Sequence, residues 1–567
     1  MPGRLNGTIC LAGVLAAALG GCTPAQYAEQ ADSDAYATLG QTRRFALGSG
    51  GKVDATYAPF SPGSGKAEGT MKVGETVISL RGEDVQKLTL DECLRIAFRN
   101  SREFQTQKET LYTAALALAN SRRGWDFPLL GGSVTGEAGR SVENRGAETN
   151  TGAMASQATL TQQLVHGGAL TLGVGVDMLS DLLGWRSTTL GSLLSANFTQ
   201  PLLRGAWRGL AYEEQYRAER DFVFSVLEYE RFTQTFGVDI LSQYYAVLEQ
   251  RDRLENERDN IRRLEDTFAV TKLLAKIDSL KRIQQDQAET DLVNAKVRFE
   301  TNQQLYHNAL DRFKITLGLP IAARVEPAYP EALKDLNTIG PKEIPVAEAE
   351  AMAVALETRP DVLRQAASLR DAQRDVEIAA DAFLPALDVT LGISAAGTAP
   401  RKFTRVGFHR HTRGASATLD YELDQTLNRD AYRNAMIAHD QAKRGYAEFI
   451  DQLQLEIRQS YRSLLQSRKS YELELRSVGI AKRRRKLAVL QHQEGQATAR
   501  DVLEAEDGLR QAQNGVTSAL ISYTTTRLKF MTTLGLLRVD EKGQLHERAK
   551  PFKFDRIRKR YPYVPEP

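Results

Sequence analysis

The chain has 567 residues, with 74 lysines and arginines against 71 aspartates and glutamates. That near-balance, with a pI of about 8.5, gives no basis for a nucleic-acid partner; the length exceeds what one ordinary core needs, so several domains or a repeated architecture is expected. Aromatics make up only 7%, and long stretches rich in Ala, Leu, Gln, Glu and Arg favour extended helices.

Residues 1–21 read as a signal peptide. Arg4 precedes an apolar stretch from Thr8 to Gly20, too short to span a bilayer as an ordinary helix. It ends in Leu19-Gly20-Gly21-Cys22, which resembles the lipobox of bacterial lipoproteins. The resemblance implies cleavage before Cys22 and lipidation of its thiol, and Thr23 in place of an aspartate implies sorting to the outer membrane. Cys10 leaves with the signal and Cys22 takes the lipid, so Cys93 stands alone and no intrachain disulfide is expected. No later segment is long and apolar enough for a transmembrane helix, so any passage through a membrane would use strands. Residues 22–87, rich in Gly, Ser, Ala and Thr, read as a lipidated tether with a short helix at about 25–39.

A helical stretch at about 90–125 then runs to Phe127-Pro128, where proline stops it. Strands are expected around 131–141 and 192–200. Between them, "ATLTQQLVHGGALTLGVGVDM" (158–178) sets Leu170, Leu172, Val174 and Val176 against Thr171, Gly173, Gly175 and Asp177. With Gly167-Gly168 as a turn, this reads as an added hairpin, either part of the main sheet or hanging outside it. Proline-free helical pattern follows at about 208–275, then a shorter helix at about 280–317. The order repeats: helix at about 346–382, a stop at Leu384-Pro385, alternating strands in "ALDVTLGIS" (386–394) and "ASATLDYELD" (415–424), then helices at about 425–492 and 498–535. Period-two alternation suits a soluble sandwich or an outer-membrane barrel equally. The long helices would reach on the order of 100 Å. Val238, Tyr245 and Asp252 break a strict heptad, so ordinary coiled-coil packing over the full length is not expected.

The repetition keeps register. Leu317 of "RFKITLGLP" precedes Leu534 of "RLKFMTTLGLL" by 217 positions, and the same offset pairs Ile240 with Ile457, Tyr244 with Tyr461, Ala288 with Ala505 and Glu289 with Glu506. "LRIAFRNSREF" (94–104) matches "MAVALETRPDV" (352–362) at an offset of 258, which leaves 41 extra residues in the first copy. The chain thus reads as an internal duplication: repeats at 88–320 and 344–540, a linker at 321–343 and a basic, proline-containing tail at 541–567.

Over about 88–540 the chain resembles the TolC-type outer-membrane efflux protein family, through this duplicated plan and through "LTLDECLRIAFRNSREF", "FTQPLLRG" (198–205), "GQATARDVLEAEDGLRQAQ" and the paired Leu-Gly-Leu endings. The resemblance implies a mainly α fold with a transmembrane β part: a homotrimer in which a long α-helical barrel in the periplasm is continuous with one outer-membrane β-barrel. It implies a passive exit duct for efflux or type I secretion, working with a periplasmic adaptor and an inner-membrane transporter. Gly495 and Asp278 would then mark the two tip turns. Carried onto this chain, the family's acidic constriction falls on Asp501 and Glu504. Six carboxylates in a narrow ring would raise each other's pKa, attract cations and make a closed gate easier to open. The first-copy turn, "LLAKIDSLKR" (273–282), is basic and lacks glycine, and His492 and Ala497 stand where relatives place locking residues, so the lock is expected to differ.

Other motifs point to no enzyme. "GSGK" (63–66) has Phe60 and Ala67 where a phosphate loop needs Gly and Ser/Thr. His409 and His411 lack nearby partners for a metal, and no cofactor motif or nucleophile–base set stands out. "KRRRK" (482–486) reads as a solvated helix face or an adaptor contact, not a nucleic-acid site. The alternative to a duct is a structural helical lipoprotein spacer, its strands packed as a soluble sandwich without a pore.

Overall fold

Helix and strand segregate along the chain as the side-chain periodicities dictate. The computed structural model describes residues 24–47, 70–73, 76–79, 85–126, 129–142, 148–181, 188–276, 282–340, 342, 346–400, 411–494, 496–540, 543–547, 554 and 557. Cys22, Asp278, His409 and Gly495 lie outside them. Contacts divide the chain into two compact units, one of 1–45, 112–225 and 364–447, the other of 46–111, 226–363 and 448–567.

Helix α1 (Pro24–Leu47) is longer than the sequence suggests and is not a free tether. Asp34 pairs with Arg123 at 2.8 Å, Asp32 accepts a hydrogen bond from the Tyr112 hydroxyl, and Tyr36 packs on Tyr112 with ring centroids 5.9 Å apart. A small hairpin, β1 (Thr70–Val73) and β2 (Thr76–Ser79), and the short strand β3 (Gln86–Leu88) follow. The helical stretch expected at about 90–125 consists of two helices: α2 (Leu90–Asn100), opened by a Thr89–Glu92 capping box, and α3 (Arg102–Asp126). Strands β4 (Leu129–Val142), β5 (Glu148–Gln163), β6 (Ala169–Asp181) and β7 (Thr188–Pro201) come next. After the one-turn α4 (Arg208–Ala211), α5 (Glu213–Lys276) has 64 residues and α6 (Arg282–Thr316) 35.

Strand β8 (Val325–Pro327) pairs in parallel with β3, and α7 (Glu331–Ile339) follows. The helix expected at 346–382 is again two, α8 (Glu348–Thr358) and α9 (Pro360–Asp381). Here proline is the cause: Pro360 fits a first helical position and forces Arg359 before it into extended backbone, φ −85° and ψ 124°. Strands β9 (Ala386–Pro400) and β10 (His411–Asp420) precede α10 (Thr426–Gln493), of 68 residues, and α11 (Ala499–Thr533), of 35. The alternation in "ASATLDYELD" outruns β10, because the Asp424 carboxylate accepts from the Thr426 amide at 3.0 Å and opens α10 instead. Strands β11 (Leu537–Val539) and β12 (Leu545–Glu547) form a last small hairpin.

Six strands make one antiparallel sheet in the order β10-β9-β7-β6-β5-β4. Its register sorts the two faces. One row across the strands reads Leu130, Leu160, Leu172, Ala196, Ile393 and Arg413; the next, on the other face, reads Gly131, Thr159, Gly173, Ser195, Ser394 and Thr412. The apolar face is open: Leu130, Val134, Val174, Leu391, Ile393 and Leu419 are all exposed. Among the described residues no helix is long and apolar enough to cross a membrane.

The second unit is built on two similar joints. The carbonyl of Gly318, in the first Leu-Gly-Leu, accepts from Asn100 Nδ2 at 2.6 Å, and the carbonyl of Leu534, in the second, accepts from Thr358 Oγ1 at 2.6 Å. Each joint therefore seats a break between two helices, at Asn100 or Thr358, on the end of a short helix. At the first joint Phe104, Phe232 and Phe236 stack and Phe98 meets Phe104 and Phe236 edge-on, with centroids 4.9–6.2 Å apart. Gly318 has φ of +75°, and a Cβ there would stand 2.0 Å from the Asn100 carbonyl oxygen. Gly318→Ala is therefore expected to destabilise the chain by at least about 1–2 kcal/mol. Gly508→Ala, in the open interior of α11, is expected to stabilise it by about 0.5–1 kcal/mol. Thermal unfolding followed by circular dichroism in detergent checks both signs.

Candidate functional site

The turn from α10 to α11 closes within a few residues. The amides of Gln496 and Ala497 donate to the Gln491 carbonyl at 2.8 and 3.2 Å, and His492 Nδ1 lies 3.0 Å from the Ala497 carbonyl. This contact joins the two positions singled out for an unusual lock, but within one turn of one chain. Thr498 then caps α11: its hydroxyl accepts from the Asp501 amide at 3.4 Å, while its own amide and hydroxyl donate to Asp501 Oδ2 at 2.8 and 2.7 Å. Asp501 is thus the third-position member of a capping box. The Thr498 hydroxyl, then its amide, hold the carboxylate below the usual aspartate range. Within one chain this is the opposite of the upward shift expected from like charges in a ring.

Glu504, one turn further on, pairs with Arg484 of α10 at 2.8 Å, and both side chains are exposed. The structure therefore places Asp501 and Glu504 together on the exposed first turns of α11, each with a partner of its own. Most of the "KRRRK" run is a solvated face: Lys482, Arg483, Arg484 and Lys486 are exposed, and Arg485 alone is half-buried, turned to Glu506 of α11.

Arg485 leads to a residue that sequence reasoning passed over. Glu506 is only 2% exposed and bonds two guanidiniums, Arg485 of α10 at 2.7 Å and Arg263 of α5 at 2.6 Å. Glu289, 217 positions earlier, is exposed, so the two glutamates that the sequence offset aligns have opposite environments. Glu506 is one rung of a polar ladder along the antiparallel pair α5 and α11. Glu257, itself fully buried, faces Arg510 at 3.5 Å and Arg298 of α6 at 3.2 Å. Asn256 donates to Asn514 at 2.9 Å, and Asp252 accepts from Thr517 at 2.8 Å and from the Tyr329 hydroxyl at 3.1 Å. Burial pushes the Asp252 carboxyl up, against the three hydrogen bonds from Thr517, Tyr329 and Asn256. At the Glu506 end of the ladder, Leu264, Ala288, Leu292, Ala295 and Leu503 form one apolar cluster. The capping box could have been found from the Thr-x-x-Asp spacing. The burial of Glu506 had no local signal, since a carboxylate in a charged helix ordinarily reads as surface.

Among the described residues there is no group of three or more side chains able to hold a metal ion; His411 is exposed on β10. Exposed apolar residues also recur on α10. Leu473, Ile480 and Leu487 stand seven apart, with Arg476, Arg483 and Leu490 completing a heptad-spaced seam that stays exposed among the described residues.

Comparison with known proteins agrees with this architecture. Residues 352–536 match the family described as outer membrane efflux protein. No curated protein matches the sequence. Among solved structures, the chain is similar to the CmeC outer membrane channel of Campylobacter jejuni, with TM-score 0.58 and 15% identity over 90% of this chain and 97% of that one. It is similar to the open state of the MtrE outer membrane channel of Neisseria gonorrhoeae, with TM-score 0.58 and 15% identity over 86% and 99%. It is also similar to the outer membrane protein VceC of Vibrio cholerae, with TM-score 0.55 and 12% identity over 79% and 96%. At such identities the likeness is one of fold. The family match thus covers 352–536, and over most of its length the chain shares the fold of these outer membrane channels.

Proposed function

We propose that three copies of this chain form a passive exit duct through the outer membrane, anchored by lipid at Cys22 and gated at its periplasmic end by Asp501 and Glu504. The observation that carries this reading is the six-stranded sheet. One face presents exposed Leu, Val and Ile, the other mainly Thr, Ser, Gly and amide side chains interrupted by Leu193, and both edges, β4 and β10, are unpaired among the described residues. In hydrocarbon an open edge leaves amides and carbonyls without partners, so a lipid-facing sheet must close with other copies. The α10 seam supports the same assembly, since its apolar heptad positions need a neighbouring helix. A duplicated helical body carrying such a sheet is the plan the family resemblance implies. The chain carries no nucleotide-binding motif, so a transporter in the inner membrane, reached through an adaptor, supplies the driving force. The spacer reading fits less well: the other sheets among the described residues have two strands each, too few to form the second layer of a sandwich.

Purified from outer-membrane fractions, the protein is expected to migrate as a heat-modifiable trimer and to conduct in planar bilayers; a monomer that stays out of the membrane would leave the spacer standing. On the apolar face, Leu172→Arg is expected to cost about 2–4 kcal/mol near mid-membrane. Ser195→Arg, on the opposite face, should cost far less. Urea titrations of protein folded into vesicles compare the two.

For the gate, Asp501→Asn with Glu504→Gln is expected to raise single-channel conductance several-fold and weaken block by divalent cations. The amide at 501 can still accept the Thr498 bonds, so the helix cap is spared. Unchanged conductance and block would remove the gate assignment. Because Thr498 holds Asp501 below the usual range, the negative charge survives acidification through the ordinary aspartate region near pH ~4. It is lost, together with the cap, only further down. Thr498→Val should therefore move the loss of cation selectivity to higher pH, read from reversal potentials between pH 7 and 3.

A further inference from the structure

The added hairpin of the first copy sits inside the sheet. Strand β5 pairs with β4 from Leu129↔Thr161 to Val142↔Glu148, and β6 pairs with β7 from Ala169↔Thr199 to Ser180↔Thr188. β5 and β6 pair with each other from Thr151↔Asp181 to Gln163↔Ala169. The hairpin thus separates β4 from β7 along nearly their whole length. It also keeps both faces. Leu160 and Leu172 continue the apolar row between Leu130 and Ala196, and Thr159 and Gly173 continue the polar row between Gly131 and Ser195.

We infer that the β5–β6 hairpin is a size-setting element of the pore: it adds two strands per copy to the wall of the barrel and widens the outer opening. This rests on the trimeric duct proposed above. Three six-stranded sheets supply eighteen strands, where three sheets without the hairpin would supply twelve. Barrel diameter grows roughly in proportion to strand number, so the circumference rises about 1.5-fold and the open cross-section roughly twofold. The added strands enlarge the lumen with little refilling, because most of their inward residues are small, among them Ala153, Ala155, Thr159, Thr161, Thr171, Gly173 and Gly175, although Gln157, Gln163, Asp177 and Leu179 share that face. Closure is consistent in direction. The sheet is antiparallel throughout with an even number of strands, so β4 of one copy and β10 of the next run antiparallel and can continue the ladder. Solutes that clear the periplasmic gate would then leave through a mouth of porin-like width, suited to bulkier cargo than a twelve-stranded ring admits.

The test is an electron cryomicroscopy map of the full chain in detergent, paired with polymer exclusion in planar bilayers. The expected map shows one ring of eighteen strands with β5 and β6 in the wall. A twelve-stranded ring with the hairpin outside it overturns the inference while leaving the duct intact, whereas material with no ring at all overturns the duct itself. For the second arm, residues 139–187 are replaced by an Asn-Gly turn, which sets Ala138 opposite Thr188, in the Asp501→Asn, Glu504→Gln background. The direct pairing of β4 with β7 then brings Leu130 opposite Ala196 and preserves the apolar face. Poly(ethylene glycols) added on the outer side should enter the intact barrel and lower its conductance at sizes that the shortened barrel excludes. Identical exclusion limits for the two would overturn the widening. If the shortened chain does not fold, the strand count in the intact map decides alone.

Discussion

The backbone of the six-stranded sheet sets the terms for everything else in this protein. A strand in lipid cannot leave its amides and carbonyls to water, and this sheet has both an apolar open face and two unpaired edges. Edge strands in soluble sheets are shielded by charges, bulges or covering elements. Here every residue of β10 is exposed, which suits an edge awaiting another chain. On the proposed duct reading, other copies complete this sheet, and the seam of α10, uncovered among the described residues, marks a second place for them.

The helical part solves a different problem, that of holding very long helices in register without a coiled-coil heptad. Apolar contacts alone tolerate sliding, since one leucine resembles the next. The ladder between α5 and α11 does not: each rung pairs specific polar groups, and a shifted register would bury a charge or amide without its partner. At the other end of the unit, the Gly318 and Leu534 joints fix where the short helices stop, using backbone contacts that tolerate no extra carbon at Gly318.

Much of this was legible in the sequence for physical reasons that can be named. The long and short helices follow from proline-free stretches bounded by turn residues, and the strands from period-two alternation. The break at Arg359–Pro360 is a local effect of proline, though the pattern on either side reads as one helix. The break at Asn100–Ser101 has no such marker and depends on Gly318, more than two hundred residues away. Alternation overshot β10 because Asp424 acts as a cap, a competing local hydrogen bond that hydrophobic pattern cannot register. Periodicity also left the place of the added hairpin open, since strand character is the same whether a hairpin joins a sheet or stands beside it. At the candidate gate, the positions of Asp501 and Glu504 came from family resemblance, while their partners Thr498 and Arg484, and the burial of Glu506, required three-dimensional proximity.

The buried Glu506 has a mechanical corollary. A longitudinal shift of α11 by one helical turn, about 5.4 Å, would strip this carboxylate of Arg263 and Arg485 and strand an ion in a dry environment. Above that point the rods are clamped against gliding. The turns from Ala499 to Ala505 beyond it hold on by Leu503 in its apolar cluster and by the exposed Glu504–Arg484 pair, and that surface pair costs far less to break than the buried one.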